Sequence, residues 1–201
     1  VSVTERPRGR PREFDPQRAL ATIKEQFVEH GYHATTLSHL TAATGLYKGS
    51  LYAAFGDKHE LFLAVLRYTS AETLSRLEET LASAPGPLEG VRAYVRGQAV
   101  CVADLTANGR GCLVANTTLE LLPGDDEVKA VVRTHQRKMI DRLAAVVDLA
   151  KGAGELTSAR PSQVIARYVF TVVEGLWQIA RIDPDPDTLA DVVEAALDGL
   201  R

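Results

Sequence analysis

Four arginines, Arg6, Arg8, Arg10 and Arg12, stand within the ten residues RPRGRPREFD that precede the first patterned segment. Arginine presents a rigid fork of N–H donors that matches phosphate oxygens, so such a cluster could hold a polyanion or remain a solvated tail. The basic character is local. Residues 1–12 carry these four arginines against one glutamate, whereas the whole chain has a net charge of -3. That pattern is what approaches a phosphate backbone, and it is not that of a general polycation. Other reactive types are sparse. Cys101 and Cys112 are too few for a disulfide framework, and their spacing fits neither a zinc nor a redox motif, so free thiols are expected. His30, His33 and His39 cluster in HGYHATTLSH, but no carboxylate or cysteine joins them, and His30 suits a helix C-terminus, so no metal is assigned. No glycine-rich phosphate loop precedes Lys48-Gly49-Ser50, and no nucleophile is spaced with a base; no catalytic step and no cofactor are expected.

The elements that must position these residues are helices. Asp15-Pro16 places a cap before a proline suited to the first helical position, and Leu20, Ile23, Phe27 and Val28 recur at helical spacing until Gly31. A first helix at about 16–30 follows. Thr35-Thr36 caps a second helix carrying Leu37, Leu40 and Ala43, which Gly45 stops; a third, 48–55, begins almost at once and ends at Gly56. Three short helices with so tight a turn between the last two form a helix-turn-helix pattern. Asp57 with Glu60 three residues on is a capping box opening a long fourth helix that Pro85-Gly86-Pro87 ends. Segments at 88–106, 112–121, 126–151, 162–181 and 187–200 are also helical, and no strand alternation is found. The fold class is all-α, about nine helices. The 201 residues, 45% of them hydrophobic, suffice for a real core. The N-terminus offers no signal-like apolar stretch, and no run approaches the roughly 18 apolar residues of a membrane span, so the cytoplasm is expected and no membrane.

The block TTLSHLTAATGLYKGSLYAAFGDKHELFLAVL, residues 35–66, resembles the DNA-binding signature of TetR-family transcriptional regulators. A Thr-capped helix, Ala-x-x-Gly, Lys48-Gly49-Ser50-Leu51-Tyr52, Phe55, and Asp57-Lys58 with Glu60-Leu61 all stand in register. The resemblance implies a DNA-binding domain at 15–62 after a basic arm at 1–14, and a ligand-binding and dimerisation domain at 63–201. It implies a recognition helix set in the major groove with neighbouring helix ends on phosphates. Thr36 and Lys58 stand at helix N-termini, where backbone N–H groups and the dipole favour an anion. Tyr52 matches the family's phosphate-contacting tyrosine, Gly49 would permit close approach, and Lys48 and Ser50 are left for base edges or adjacent phosphates. Tyr47 departs from the family's small cap residue and adds an aromatic ring to the DNA-facing set. Ala54 replaces a common aromatic or histidine. Arg8-Gly9-Arg10-Pro11-Arg12 is similar to the core of an AT-hook, whose extended chain lies in a narrow A·T-rich minor groove; such an arm would read groove width or merely supply charge.

The later helices carry the expected effector site. Cys101, Cys112, Asn116, Glu120, His135, Tyr168, Glu174 and Trp177 are the polar or polarisable groups on mainly apolar segments, as a small-molecule pocket needs. Cys112 opens a helix, a setting that can lower a thiol pKa, so electrophile or oxidant sensing stands beside an inert buried thiol. Glu174 lies in an apolar run and needs a partner: a cationic ligand, or Tyr and Trp groups across the core. The run 168–177 is apolar nearly all round, and Leu189, Val192, Val193, Ala196, Leu197 and Leu200 form a second stripe; together they would make a homodimer face or an intrachain core. The expectation is a homodimeric repressor that binds a near-palindromic DNA operator and is released by a small-molecule effector. The competing classes are an all-helical enzyme and an effector-independent DNA-binding protein.

Overall fold

The computed structural model describes residues 15–107 and 110–200. Among them the chain forms nine α-helices and no strand: α1 (Pro16–Ala34), α2 (Leu37–Thr44), α3 (Lys48–Phe55), α4 (Lys58–Ser83), α5 (Pro87–Ala107), α6 (Leu113–Leu121), α7 (Asp126–Gly152), α8 (Ser162–Ile179) and α9 (Pro186–Asp198).

Local chemistry sets most of these ends. Asp15 accepts from the N–H groups of Gln17 and Arg18, Asp57 from His59 and Glu60, Asp125 from Val128, and Asp185 from Thr188, each quenching orphan donors of a first turn. Gly45, at φ 69°, closes α2 in the left-handed region. The first helix does not stop cleanly at Gly31, as the glycine suggests. That residue turns to φ 76°, ψ 177° and kinks the element, and the chain then completes one more turn to Ala34.

Two cores share α4. The first joins Ile23 and Phe27 of α1, Leu40 of α2, Leu51 of α3 and Phe62, Val65 and Leu66 of α4, and it continues onto Leu113 of α6 and Val128 of α7. Phe27 meets Phe62 edge-on at 4.8 Å between ring centroids. Each such fully buried ring or branched chain contributes about 1.5–3 kcal/mol relative to exposure. The second core begins at Leu77, near the far end of α4, and fills the space among α5, α7, α8 and α9 with Val91, Val102, Leu143, Val173 and Leu189. The helix-turn-helix unit is therefore packed against α6 and the start of α7 as well as carried on α4.

Of the two uses expected for the C-terminal stripe, its α9 residues serve the intrachain core. Leu189, Val193, Ala196, Leu197 and Leu200 are buried within the chain's own core, and of that set only Val192 faces outward. The face left open is different: Val164, Tyr168 and Ile179 along one side of α8, Ile182 just beyond it, and Val192 of α9.

Candidate functional site

The outward side of the helix-turn-helix is built by one inward anchor. Leu51 is 1% exposed, which fixes the rotation of α3 and turns Lys48, Gly49, Ser50 and Tyr52 to solvent. The Lys48 ammonium lies 5.4 Å from the centre of the Tyr52 ring, so cation and phenol share one patch. Tyr47 makes no side-chain capping bond and is 86% exposed, leaving the first N–H groups of α3 and a free aromatic ring on the same face. A Cβ built at Gly49 would meet nothing within 4 Å, so internal packing does not require glycine there.

Thr36 and Lys58 are placed less simply. The Thr36 hydroxyl accepts from the His39 N–H at 3.3 Å while the His39 ring accepts from the Thr36 N–H at 3.4 Å, a reciprocal cap. Lys58 folds back: its ammonium donates to the His33 carbonyl at 3.3 Å and stands 4.6 Å from the centre of the Tyr32 ring. Partial desolvation there lowers its pKa, opposed by the charge of Glu120. A phosphate would have to compete for it. His30 and His39 pack ring against ring at 4.7 Å, and the His33 ring rests on Tyr32. Arg8, Arg10 and Arg12 lie outside the described residues.

The second candidate is a partly open cavity of about 510 Å3 lined by α1, α4, α5, α7, α8 and the segment leading into α6. Of the residues expected to form it, Cys101, Cys112, His135, Glu174 and Trp177 line its wall. Three do not. Tyr168 points outward, 43% exposed, and donates to the Ala196 carbonyl at 3.3 Å. Asn116 is bound by the Arg181 guanidinium. Glu120 lies exposed at the junction of α6 with the kink of α1, where its carboxylate accepts from the N–H groups of Tyr32 and His33 at 2.9 and 2.8 Å. Sequence reasoning missed Tyr94, Gln98, Met139 and Phe170 in this wall. Helical spacing held the signal: Tyr94 and Gln98 precede Cys101 by seven and three positions, and Phe170 precedes Glu174 by four and Trp177 by seven.

Burial sets the electrostatics of the wall. His135 is 6% exposed and pairs through Nδ1 with the Ser70 hydroxyl at 2.9 Å; desolvation, then Lys138, lowers its pKa and favours the neutral ring. Desolvation raises the Glu174 carboxyl and also the Tyr94 phenol, the latter reinforced by Glu174. Of the two readings of Cys112, an activated thiol and an inert buried one, burial favours the second. Burial pushes this thiol up to about 11, outweighing its hydrogen bonds from Ala115 and Val114 N–H groups, so the sulfur is a protonated wall group rather than a ready thiolate.

At the junction, the Glu120 clasp sits against Gly31, where an added Cβ would lie 2.9 Å from the Glu120 Oε2. Next to it the His59 Nε2 lies 2.7 Å from the Asp125 Oδ2. The Val128 N–H that Asp125 caps, more than His59, holds that carboxyl below the usual range. These links tie the helix-turn-helix to α6 and α7 by polar contacts as well as by packing.

Residues 19–65 match the family described as "Bacterial regulatory proteins, tetR family", and residues 87–196 match "Tetracyclin repressor-like, C-terminal domain". The chain is 38% identical to the HTH-type transcriptional repressor AcnR of Corynebacterium glutamicum over 178 residues, 89% of this chain and 88% of that protein. It is 28% identical to the uncharacterised HTH-type transcriptional regulator YezE of Bacillus subtilis over 194 residues, 94% of this chain and 97% of that one. Among solved structures, a cysteine mutant of the TetR-family regulator CifR in complex with 26-base-pair operator DNA superposes with a TM-score of 0.81 at 30% identity, covering 96% of this chain and 100% of that one. With both halves of the chain matched in register and the helix order shared, the protein belongs to the TetR family of bacterial regulatory proteins.

Proposed function

We propose that the chain is a transcriptional repressor that binds a near-palindromic operator as a homodimer and is released when a small-molecule effector enters the core cavity. The observation that carries this reading is the solvent face of α3, where Tyr47, Lys48, Ser50 and Tyr52 stand free around a glycine that the chain's own packing does not need. A short helix held by a single buried leucine, with cationic, hydroxyl and aromatic tips outward, is what a major groove accepts. A relative of 30% identity has been solved on operator DNA, which supports the same use of this face.

In this reading residues 15–62 contact DNA and residues 63–201 bind effector and partner. Thr36, Tyr47, Lys48, Gly49, Ser50, Tyr52 and Lys58 meet the groove and its phosphates, and the arm with Arg8, Arg10 and Arg12 adds charge or minor-groove contact. Lys58 must first leave the His33 carbonyl. The cavity is placed to matter, because its wall includes Val28 of α1, Thr69 and Thr73 of α4, and Leu113 at the start of α6, all on elements that also hold the helix-turn-helix. An effector that binds one spacing of the two DNA-binding units more tightly than another shifts the population toward it. Among the described residues no helix is long and apolar enough to cross a membrane. A DNA-binding regulator works in the cytoplasm, and the fold asks for no catalytic step.

The test is a gel retardation of the full chain with DNA flanking its own coding region, repeated over a range of salt. Specific retention that weakens steeply with salt is expected. Equal affinity for that DNA and for random sequence at moderate salt would rule the reading out.

A further inference from the structure

The cavity wall contains three carboxylates, and they differ in company. Glu25 is paired with Lys24 and Arg110, and Glu79 accepts from the Ser75 hydroxyl. Glu174 alone of these three has no hydrogen bond or ion pair among the described residues. Neither of the partners open to it within the chain has taken it up: Tyr94 and Cys112 lie near enough to feel its charge, yet neither donates to it, and Trp177 does not either. Glu174 is half-buried beside Tyr94, Phe170 and Trp177, and a carboxylate that gives up part of its hydration there without a partner leaves an attraction for a cation.

The surroundings set the kind of cation. Tyr94, Phe170 and Trp177 share the wall with Glu174, and aromatic faces attract organic cations while offering little to a hydrated metal ion. Two of the three strongly basic groups of the wall are held by carboxylates, Lys24 by Glu72 and Glu25 and Arg110 by Glu25, while the exposed Arg76 has only a 3.5 Å contact from Nε to the Glu72 carbonyl. His135 is held by Ser70 in a setting that favours its neutral form. At Lys24 and Arg110 an anionic ligand would have to break existing pairs, whereas at Glu174, beside the aromatic rings, a cationic one completes a missing pair. We propose that the cavity takes an organic cation, an apolar body with one amine or quaternary ammonium, with Glu174 as counter-ion and the rings of Tyr94 and Trp177 around the charge. A volume of about 510 Å3 admits a ligand of drug-like size. The proposal rests on the reading of this cavity as the effector site.

The chain carries its own reporter, since Trp177 is the only tryptophan in the sequence and lines the cavity. Titrating the full chain with tetraphenylphosphonium should change Trp177 fluorescence saturably, and its isosteric anion tetraphenylborate should neither bind comparably nor compete. Glu174→Gln should weaken the phosphonium affinity at least about tenfold, the loss of one charge-assisted contact. Glu174→Asp should retain the preference for the cation, and thermal melts of both variants establish that they fold. Phosphonium affinity unchanged in Glu174→Gln, tetraphenylborate binding as tightly as the cation, or no phosphonium binding at all would each overturn the proposal. Operator retardation of the unliganded chain, run in parallel, separates the two readings. Lost DNA binding with cation selectivity intact refutes only the regulator, and intact DNA binding without cation selectivity refutes only the ligand class.

Discussion

Glu174 and Cys112 show how far a single residue can be read before its neighbours are known. Sequence places the carboxyl in an apolar run and the thiol at a helix start, and both remarks are correct. What decides their chemistry is desolvation by helices distant in the chain, which local spacing does not encode. For Glu174 the raised pKa has a defined sign. The folded state resists ionisation, so stability is fully present below the unfolded value of about 4.3 and is lost as pH rises through the folded value. Four other groups of the wall, Tyr94 and Cys101 on α5, Cys112 before α6 and His135 on α7, are shifted toward their neutral forms. Glu174→Gln is therefore expected to raise the melting temperature at pH 8, with the gain shrinking to nothing toward pH 4; a gain independent of pH would refute the assignment. For Cys112, alkylation by iodoacetamide at pH 7.5 should be slower in the folded chain than in the unfolded one. Rapid labelling of the native protein, with loss of operator binding that Cys112→Ser prevents, would restore the thiol-sensing alternative.

At the scale of elements, the helices were legible because their signals are local. Caps at Asp15, Thr36, Asp57 and Asp125 and the stop at Gly45 each act within four residues, and the observed ends fall close to those expected. Within the helix-turn-helix the element that departs from this logic is α3, whose cap position holds Tyr47 with no capping bond, as Cys112 and Pro161 make none at the starts of α6 and α8. Tyr47→Ser would supply the missing acceptor and is expected to stabilise the fold by about 0.5–1 kcal/mol in denaturant unfolding. If the ring also contacts DNA, operator affinity falls in the same variant, so stability and binding move in opposite directions. What the sequence concealed was how elements meet. Glu120 looked like a polar group in a cavity wall, yet its partners lie 88 and 87 positions earlier at the kink of α1. Glu120→Ala would leave two N–H groups to water and is expected to cost about 1 kcal/mol of stability. It should also loosen the coupling by which an effector releases DNA, measured as a smaller difference between liganded and free operator affinity.

For the whole molecule, the C-terminal stripe had a legible period but not a legible destination, because a helical face is apolar whether it meets its own chain or another. The buried set on α9 serves the chain's own core, and the outward set runs along α8 and across to α9. Val164, Tyr168 and Ile179 are 42%, 43% and 44% exposed, Ile182 is 90% exposed and Val192 is 38% exposed. Val164 and Tyr168 are neighbours on one side of α8, and Ile179 stands on that same side three turns later with Thr171 and Gly175 between, so the exposed apolar residues share one face of the helix. A second copy related by a twofold axis would cover that face with the same face, and a dimer so formed presents two α3 helices to two half-sites. The variant Ile179→Asp combined with Val192→Asp places four charges in such an interface, two from each protomer, without touching the intrachain core. It should sediment as a monomer with its helix content retained. Because the two DNA-binding units would then engage independently, operator affinity is expected to drop on the order of 100-fold, with each unit still contacting a half-site. A variant that remains dimeric would place the partner on another face, and one that becomes monomeric yet binds the operator undiminished would remove dimerisation from the mechanism.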